Sequence, residues 1–278
     1  MVCVLPARRL NSLAVIAIPD QIFDSPEGKP LTFDYFRPND GTELPLVVFT
    51  HGGGWISGDK THFREEAIWL ADQGFGCACI SYRLAPLHPF PAAVEDAQTF
   101  VRYARSKSAE LGIAPNRIAA MGSSAGGHLA AMLGLCDGLI GAEHHPELSE
   151  YSPKVNAVVD FSGISDLSAP RDKHLPIAWS FLEQFMGCPF EGNEALYDKA
   201  SPLHHVSETD APFLIVHGDM DDVIPIDQSV RLQQALSAVG VSSELIVLPG
   251  EGHGFSFEVW DEVRELYLAF LQRALGVS

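Results

Sequence analysis

With 278 residues, 46% of them hydrophobic and 19% charged, the chain has the composition of an ordinary soluble protein and the length of one large α/β unit. Its formal net charge of −18 without any basic run argues against a nucleic acid partner. No stretch approaches the roughly 18 uninterrupted apolar residues of a membrane span, and the early run LAVIAIP is too short for a secretory core, so a cytoplasmic protein off the membrane is expected.

In chain order, the first strand pattern is LTFDYF from Leu31, followed by LPLVVFTH. The stretch LTFDYFRPNDGTELPLVVFTH reads as a hairpin, which predicts an antiparallel edge on the sheet. Three glycines, Gly52, Gly53 and Gly54, come directly after the second run. The segment EEAIWLADQG has helical spacing, and FGCACISYRL reads as the next strand, with Cys77 and Cys79 on one face. The five cysteines are odd in number and scattered, so buried free thiols are expected and not a disulfide framework.

A long helical pattern, PAAVEDAQTFVRYARSK, precedes the strand RIAAMG, and the helix AGGHLAAMLGL follows that strand. VNAVVDFSG and APFLIVHGD are further strands, separated by about 45 residues from Asp166 to Ala211 that carry no strand pattern; so long a structureless loop is improbable in a compact domain. Within it, HLPIAWSFLEQFMG places Leu175, Ala178, Trp179, Leu182, Phe185 and Met186 at helical spacing, which predicts a cap or lid insertion over 166–211 in a single domain of residues 1–278. The helix DQSVRLQQALSAVG, the strand SELIVLPG and a last helix from about Phe257 to Leu275 complete the chain. Strand then helix, repeated, predicts an α/β fold with a mostly parallel central sheet and helices on both faces.

Chemistry enters at GSSAG, where Gly122, Ser124 and Gly126 fit G-x-S-x-G between a strand and a helix. That turn pushes one serine hydroxyl out at the carboxyl end of the strand, with small flanking residues that let neighbouring backbone pass close by. A serine needs a base within hydrogen-bond reach and an acid to orient it. On a sheet of this kind the two should follow in the order acid, then histidine. FLIVHGDMDDVIP supplies Asp219, Asp221 and Asp222 in one loop, which chain order does not separate, and LIVLPGEGHGF supplies His253. His128 and His217 read as structural. The doublets His144 with His145 and His204 with His205 lack ligand spacing, so no metal is assigned.

The glycines now have a purpose. An attacked carbonyl becomes an oxyanion that fixed backbone N–H donors stabilise, and the loop His51 to Gly54, together with the N–H of Ala125, can supply them. A phosphate-cradling loop would require a lysine and a hydroxyl at P-loop spacing, which do not follow.

In order along the chain, HGGGW, ISYRLAPLHPFPAAVEDA, GSSAGGHLAA, VVDFSGISDL, HGDMDDVIP and GEGHGF resemble the α/β-hydrolase fold. Within it they resemble the hormone-sensitive-lipase-like esterases and the similar carbohydrate and feruloyl esterases. The resemblance spans about Leu46 to Phe255. It implies Asp221 as the acid, by the pattern His-Gly-x-x-Asp, and Gly53, Gly54 and Ala125 as oxyanion donors, with Gly52 serving the turn. Two departures, GSSAGG in place of GDSAGG and a glycine motif beginning at residue 51 after a short leader, favour the carbohydrate and feruloyl esterase side; they put the cap and acyl pocket in question.

The expected protein is therefore a serine carboxylesterase with the triad Ser124, Asp221 and His253. It would act without a cofactor on short acyl esters, including acetylated or feruloylated sugars, with Trp55, Trp179, Phe181 and Phe185 as candidates for the pocket wall. A small-molecule ester is the implied partner, and a homodimer is compatible with the sequence. An amidase or peptidase is the alternative chemistry, since the acid and histidine loops also resemble those of prolyl-oligopeptidase-like enzymes. A binding protein on the same fold is the non-enzymatic alternative.

Overall fold

Alternation along the strands buries both faces of the sheet. In a computed structural model of the chain, which describes residues 3–5, 14–39, 43–136, 145–169 and 176–277, the strands are β1 (Cys3–Leu5), β2 (Val15–Asp24), β3 (Leu31–Pro38), β4 (Leu44–Thr50), β5 (Gly76–Ile80), β6 (Ile113–Ser123), β7 (Ala157–Phe161), β8 (Phe213–Gly218) and β9 (Ser243–Leu248). Leu46 and Val48 of β4 point into one core, Val47 and Phe49 into the other. Ile118 and Ala120 of β6 divide from Ala119 and Met121 in the same way. Period-two burial on both faces is the mark of a sheet covered on both sides.

Two helical layers supply the cover. The helices α2 (Ala92–Ser106), with the single turn α3 (Ser108–Leu111) after it, α4 (Ala125–Leu135) and α7 (Asp227–Ala238) close one core, while α1 (Arg64–Asp72) and α8 (Phe257–Leu275) close the other. Cys77 and Cys79 both fall in the second core as free buried thiols, with burial holding both well above the ordinary thiol range. Across that layer Glu66 of α1 accepts hydrogen bonds from Trp260, Arg264 and Tyr267 of α8. Among the described residues no helix is long and apolar enough to cross a membrane.

The strand order is β1-β2-β3-β5-β4-β6-β7-β8-β9. From β5 to β9 the pairing is parallel, and β1, β2 and β3 add an antiparallel edge. The edge is therefore as expected, but the hairpin is not. β3 and β4 do not pair, because β5 lies between them, antiparallel to β3 and parallel to β4. The true partner of β3 in sequence is β2, which the hydropathy pattern conceals: its register shifts between Ile18 and Gln21, around Asp20 at φ 56°. An irregularity of this kind turns side chains off the alternating pattern.

The segment 166–211 carries no strand among its described residues. It contains α5 (Pro176–Met186), α6 (Glu194–Ala200) and a short 3₁₀ turn at Pro202–His205. Ala178, Trp179, Leu182, Phe185 and Met186 of α5 are buried at the predicted spacing, in a third apolar cluster with Trp55 and Leu129. Leu175 and His144 lie outside the described residues.

Candidate active site

Ser124 sits between β6 and α4 at φ 58°, ψ −120°, backbone that a residue with a side chain rarely adopts. The flanking glycines explain how the turn is made. A Cβ on Gly122 would lie 2.2 Å from the Gly126 carbonyl oxygen, and one on Gly126 would lie 2.0 Å from that of Thr50. The Ser124 N–H donates to the Phe161 carbonyl at 2.8 Å, which ties the turn to β7.

The glycine loop runs alongside. Gly53 (φ 110°) and Gly54 (φ 59°) hold backbone that favours glycine, and a Cβ on Gly54 would meet the Phe181 ring at 2.8 Å. The loop is braced from three sides. The neutral ring of His51, whose pKa burial lowers, donates from Nδ1 to the Gly52 carbonyl (2.8 Å) and stacks on Tyr82. Trp55 donates to His128 Nδ1 (3.2 Å) and stacks on Phe185. Lys60 reaches Asp20 and Asp34 on the antiparallel edge. Burial holds His128 neutral, down to about 4, so it serves as acceptor for Trp55 and as Nε2–H donor to the Ala200 carbonyl.

Geometry separates the three acids of the β8 loop. Asp219 accepts the Gly250 N–H, Asp222 is exposed, and Asp221 Oδ2 accepts His253 Nδ1–H at 2.8 Å. The other oxygen, Oδ1, accepts the N–H groups of Val223 (2.8 Å) and Ile224 (2.7 Å). Burial by itself would raise the Asp221 pKa, but the hydrogen bonds from His217 and His253, then from Ile224, hold it well below the ordinary carboxylate range. With Nδ1–H committed to Asp221, Nε2 of His253 is the nitrogen left to accept a proton.

Ser124, His253, Gly53, Gly54 and Ala125 all line one cavity of about 420 Å³. Its far wall is apolar, from Ile164, Ile177, Phe181, Leu182, Val223 and Ile224, and Ser57 and His62 stand among its polar lining. Of the four aromatic candidates, Trp55 and Phe181 line the cavity and the other two do not. Phe185 is covered by Trp55, and Trp179 packs edge-on against Phe190 with its indole N–H on Glu183 (2.9 Å). Helical spacing marks buried residues but does not tell a pocket from a core. His217, read from sequence as structural, touches Asp221 as well. Its signal was its place four residues before the acid.

Behind the turn, Asp160 of β7 is buried and accepts the Gly163 N–H at 2.8 Å. Burial outweighs that bond and the nearby His217, and raises its pKa from 3.8 to about 6. A folded pKa above the unfolded one means that its stabilising contribution is complete below about 3.8 and lost as pH rises through about 6. Asp160→Asn keeps the acceptor and removes the charge. Urea midpoints of the variant should therefore rise relative to the parent between pH 4 and 7, and a difference constant across that window would contradict this assignment.

Residues 33–236 match the family model BD-FAE. Esterase LipC of Mycobacterium tuberculosis is 35% identical over 216 residues, covering 76% of this chain and 53% of that protein. The chain spans a little over half the length of the curated relatives it matches. Among solved structures, a thermophilic esterase of Thermogutta terrifontis superposes with a TM-score of 0.79 at 27% identity, over 91% of each chain. That esterase is also known with propionate and butyrate bound and phosphonylated by sarin. A truncated carbohydrate esterase from gut microbiota superposes with a TM-score of 0.81 at 25% identity, over 96% of this chain and 100% of that one.

Proposed function

The chain belongs to the BD-FAE family, among the esterases of the α/β-hydrolase fold, and on that premise we propose that it is a serine carboxylic ester hydrolase of short acyl esters. One observation carries the reading: a serine on a strained turn shares a cavity with a histidine whose far nitrogen is held by a buried carboxylate.

In this mechanism Ser124 Oγ attacks the ester carbonyl carbon while His253 Nε2 takes its proton. The oxyanion forms against the N–H groups of Gly53, Gly54 and Ala125. Collapse expels the alcohol, which takes the proton from His253, and leaves the acyl group on Ser124. Water then attacks the acyl-enzyme with His253 as base again, and Ser124 recovers its proton as the acid departs. Asp221 keeps His253 in the tautomer with Nδ1 protonated and faces the imidazolium when it forms. No cofactor enters any step.

Chain-length preference follows from the wall. Phe181 packs against Gly54, one of the proposed oxyanion donors, and with Ile177, Ala178 and Leu182 of α5 it narrows the cavity beside Ser124. The propionate and butyrate bound to the Thermogutta terrifontis esterase agree with a short acyl site. The carbohydrate esterase likeness supports esterified sugars, acetylated or feruloylated, as the natural class. The test is hydrolysis of p-nitrophenyl acetate, butyrate and octanoate beside acetylated glucose and methyl ferulate. The expected result is kcat/KM at least about ten-fold higher for acetate and butyrate than for octanoate, since each misfitting methylene weighs on the order of 1 kcal/mol or more. Octanoate as the best substrate would reject the short-acyl assignment, and no hydrolysis of any ester would reject the function.

A further inference from the structure

His217 is the second-to-last residue of strand β8, and its side chain is 0% exposed, as is that of Asp221. The Nε2–H donates to the Ile224 carbonyl at 3.0 Å, and Asp221 Oδ2, which also can only accept, lies 3.1 Å from the same nitrogen, so Nε2 carries the proton and its single N–H is shared between the two oxygens. Its Nδ1 lies 2.7 Å from Ser229 Oγ on α7. Among the described residues the Ser229 hydroxyl has no other polar partner, so pairing every buried proton requires Ser229 to donate to an unprotonated Nδ1. The ring is thus a neutral imidazole whose single N–H is aimed by α7.

We infer that His217 is a positioning residue for ester hydrolysis: its Nε2–H is the second donor on the Asp221 oxygen that holds His253. The inference rests on the proposed roles of Asp221 and His253. With Val223 and Ile224 on Oδ1 and the two imidazoles on Oδ2, all the lone-pair directions of the carboxylate are used, and it cannot turn away from His253. Sharing Oδ2 also tempers its basicity. The carboxylate then grips the His253 N–H less tightly, and losing the second donor strengthens its hold on the imidazolium. Other charged groups here are Asp160 of β7, which faces His217, and Asp219 and Asp222 on the acid's own loop, while His62 stands at the cavity. None of them replaces the missing donor.

His217→Leu removes the N–H and keeps apolar bulk, while His217→Gln restores a donor near the Nε2 position. The kinetics are read on p-nitrophenyl butyrate, after titration of active sites with a fluorophosphonate. His217→Leu should lose about ten- to a hundred-fold in kcat with KM nearly unchanged, the range expected for a lost hydrogen bond to a charged group. The acid limb of its kcat/KM profile should move to higher pH, and His217→Gln should recover both. A mere loop brace would lower the rate without moving the acid limb. Should His217→Leu yield no folded protein, Ser229→Ala, which frees the tautomer, carries the test with a several-fold loss and an acid limb displaced in the same direction. A limb that stays in place in every folded variant overturns the inference. Failure of the fluorophosphonate to label the parent would instead overturn the serine hydrolase reading beneath it.

Discussion

Replacing Ser124 with alanine is expected to lower kcat/KM on p-nitrophenyl butyrate by about 10⁴- to 10⁶-fold, the scale on which a lone triad member is missed. The covalent route disappears with the hydroxyl, because neighbouring Ser123 lies at the end of β6 and not on the strained turn. What remains is the oxyanion loop and ground-state binding, which by themselves hold only a small residual rate. Intact mass after fluorophosphonate treatment gives the chemical counterpart, with one adduct on the parent chain and none on the variant. A variant that kept a tenth of the activity would remove Ser124 from the mechanism. The same position stores strain. Alanine keeps a Cβ at φ 58°, whereas glycine relieves it, so Ser124→Gly should unfold at higher urea than Ser124→Ala, by about 1 to 3 kcal/mol. Equal stability would mean that the turn costs nothing.

Asp221→Asn is expected to lower kcat by about 10⁴-fold with little change in KM, although it alters one atom and no volume. Four N–H groups face this side chain: those of Val223, Ile224 and His253 donate to it, and that of His217, with its nitrogen 3.1 Å from Oδ2, is shared with the Ile224 carbonyl. A carboxylate accepts all four; an amide accepts with one end only. If the amide oxygen stays with Val223 and Ile224, its NH₂ confronts His253 and turns that imidazole into the tautomer with Nε2 protonated, which cannot take a proton from Ser124. If the amide flips, its NH₂ confronts two backbone donors and the loop is displaced. Either arrangement removes the base. Alanine at 221 should be no worse than asparagine, because it removes the acceptor without enforcing the wrong tautomer. Stopped assays at pH 7 to 10 with both variants decide the point. Asparagine within ten-fold of the parent would show that His253 does not depend on this carboxylate.

The positions legible in the sequence were those where local chemistry leaves one solution. Gly122 and Gly126 can be nothing else, since a Cβ at either would collide with backbone about 2 Å away, so the turn that carries Ser124 is written into five consecutive residues. The alternating strands from β4 onward and helices such as α4 and α8 were equally plain, because burial on fixed faces imposes its period on the chain. Local pattern therefore specified the layers and the strained turn that carries Ser124. Tertiary structure decided what depends on contacts between distant residues. It put β5 between β3 and β4 where a hairpin was expected, because strands pair with whichever neighbour completes the sheet and not with the nearest in sequence. The resemblance already pointed to Asp221 among the three acids, but only packing brought its Oδ2 onto His253 Nδ1, drew in His217 beside it, and turned Trp55 and Phe181 to the cavity while Trp179 and Phe185 went to the core. The physical reason is the same in each case: hydrophobic periodicity states that a side chain is buried, whereas which group it meets there is fixed only when the elements pack.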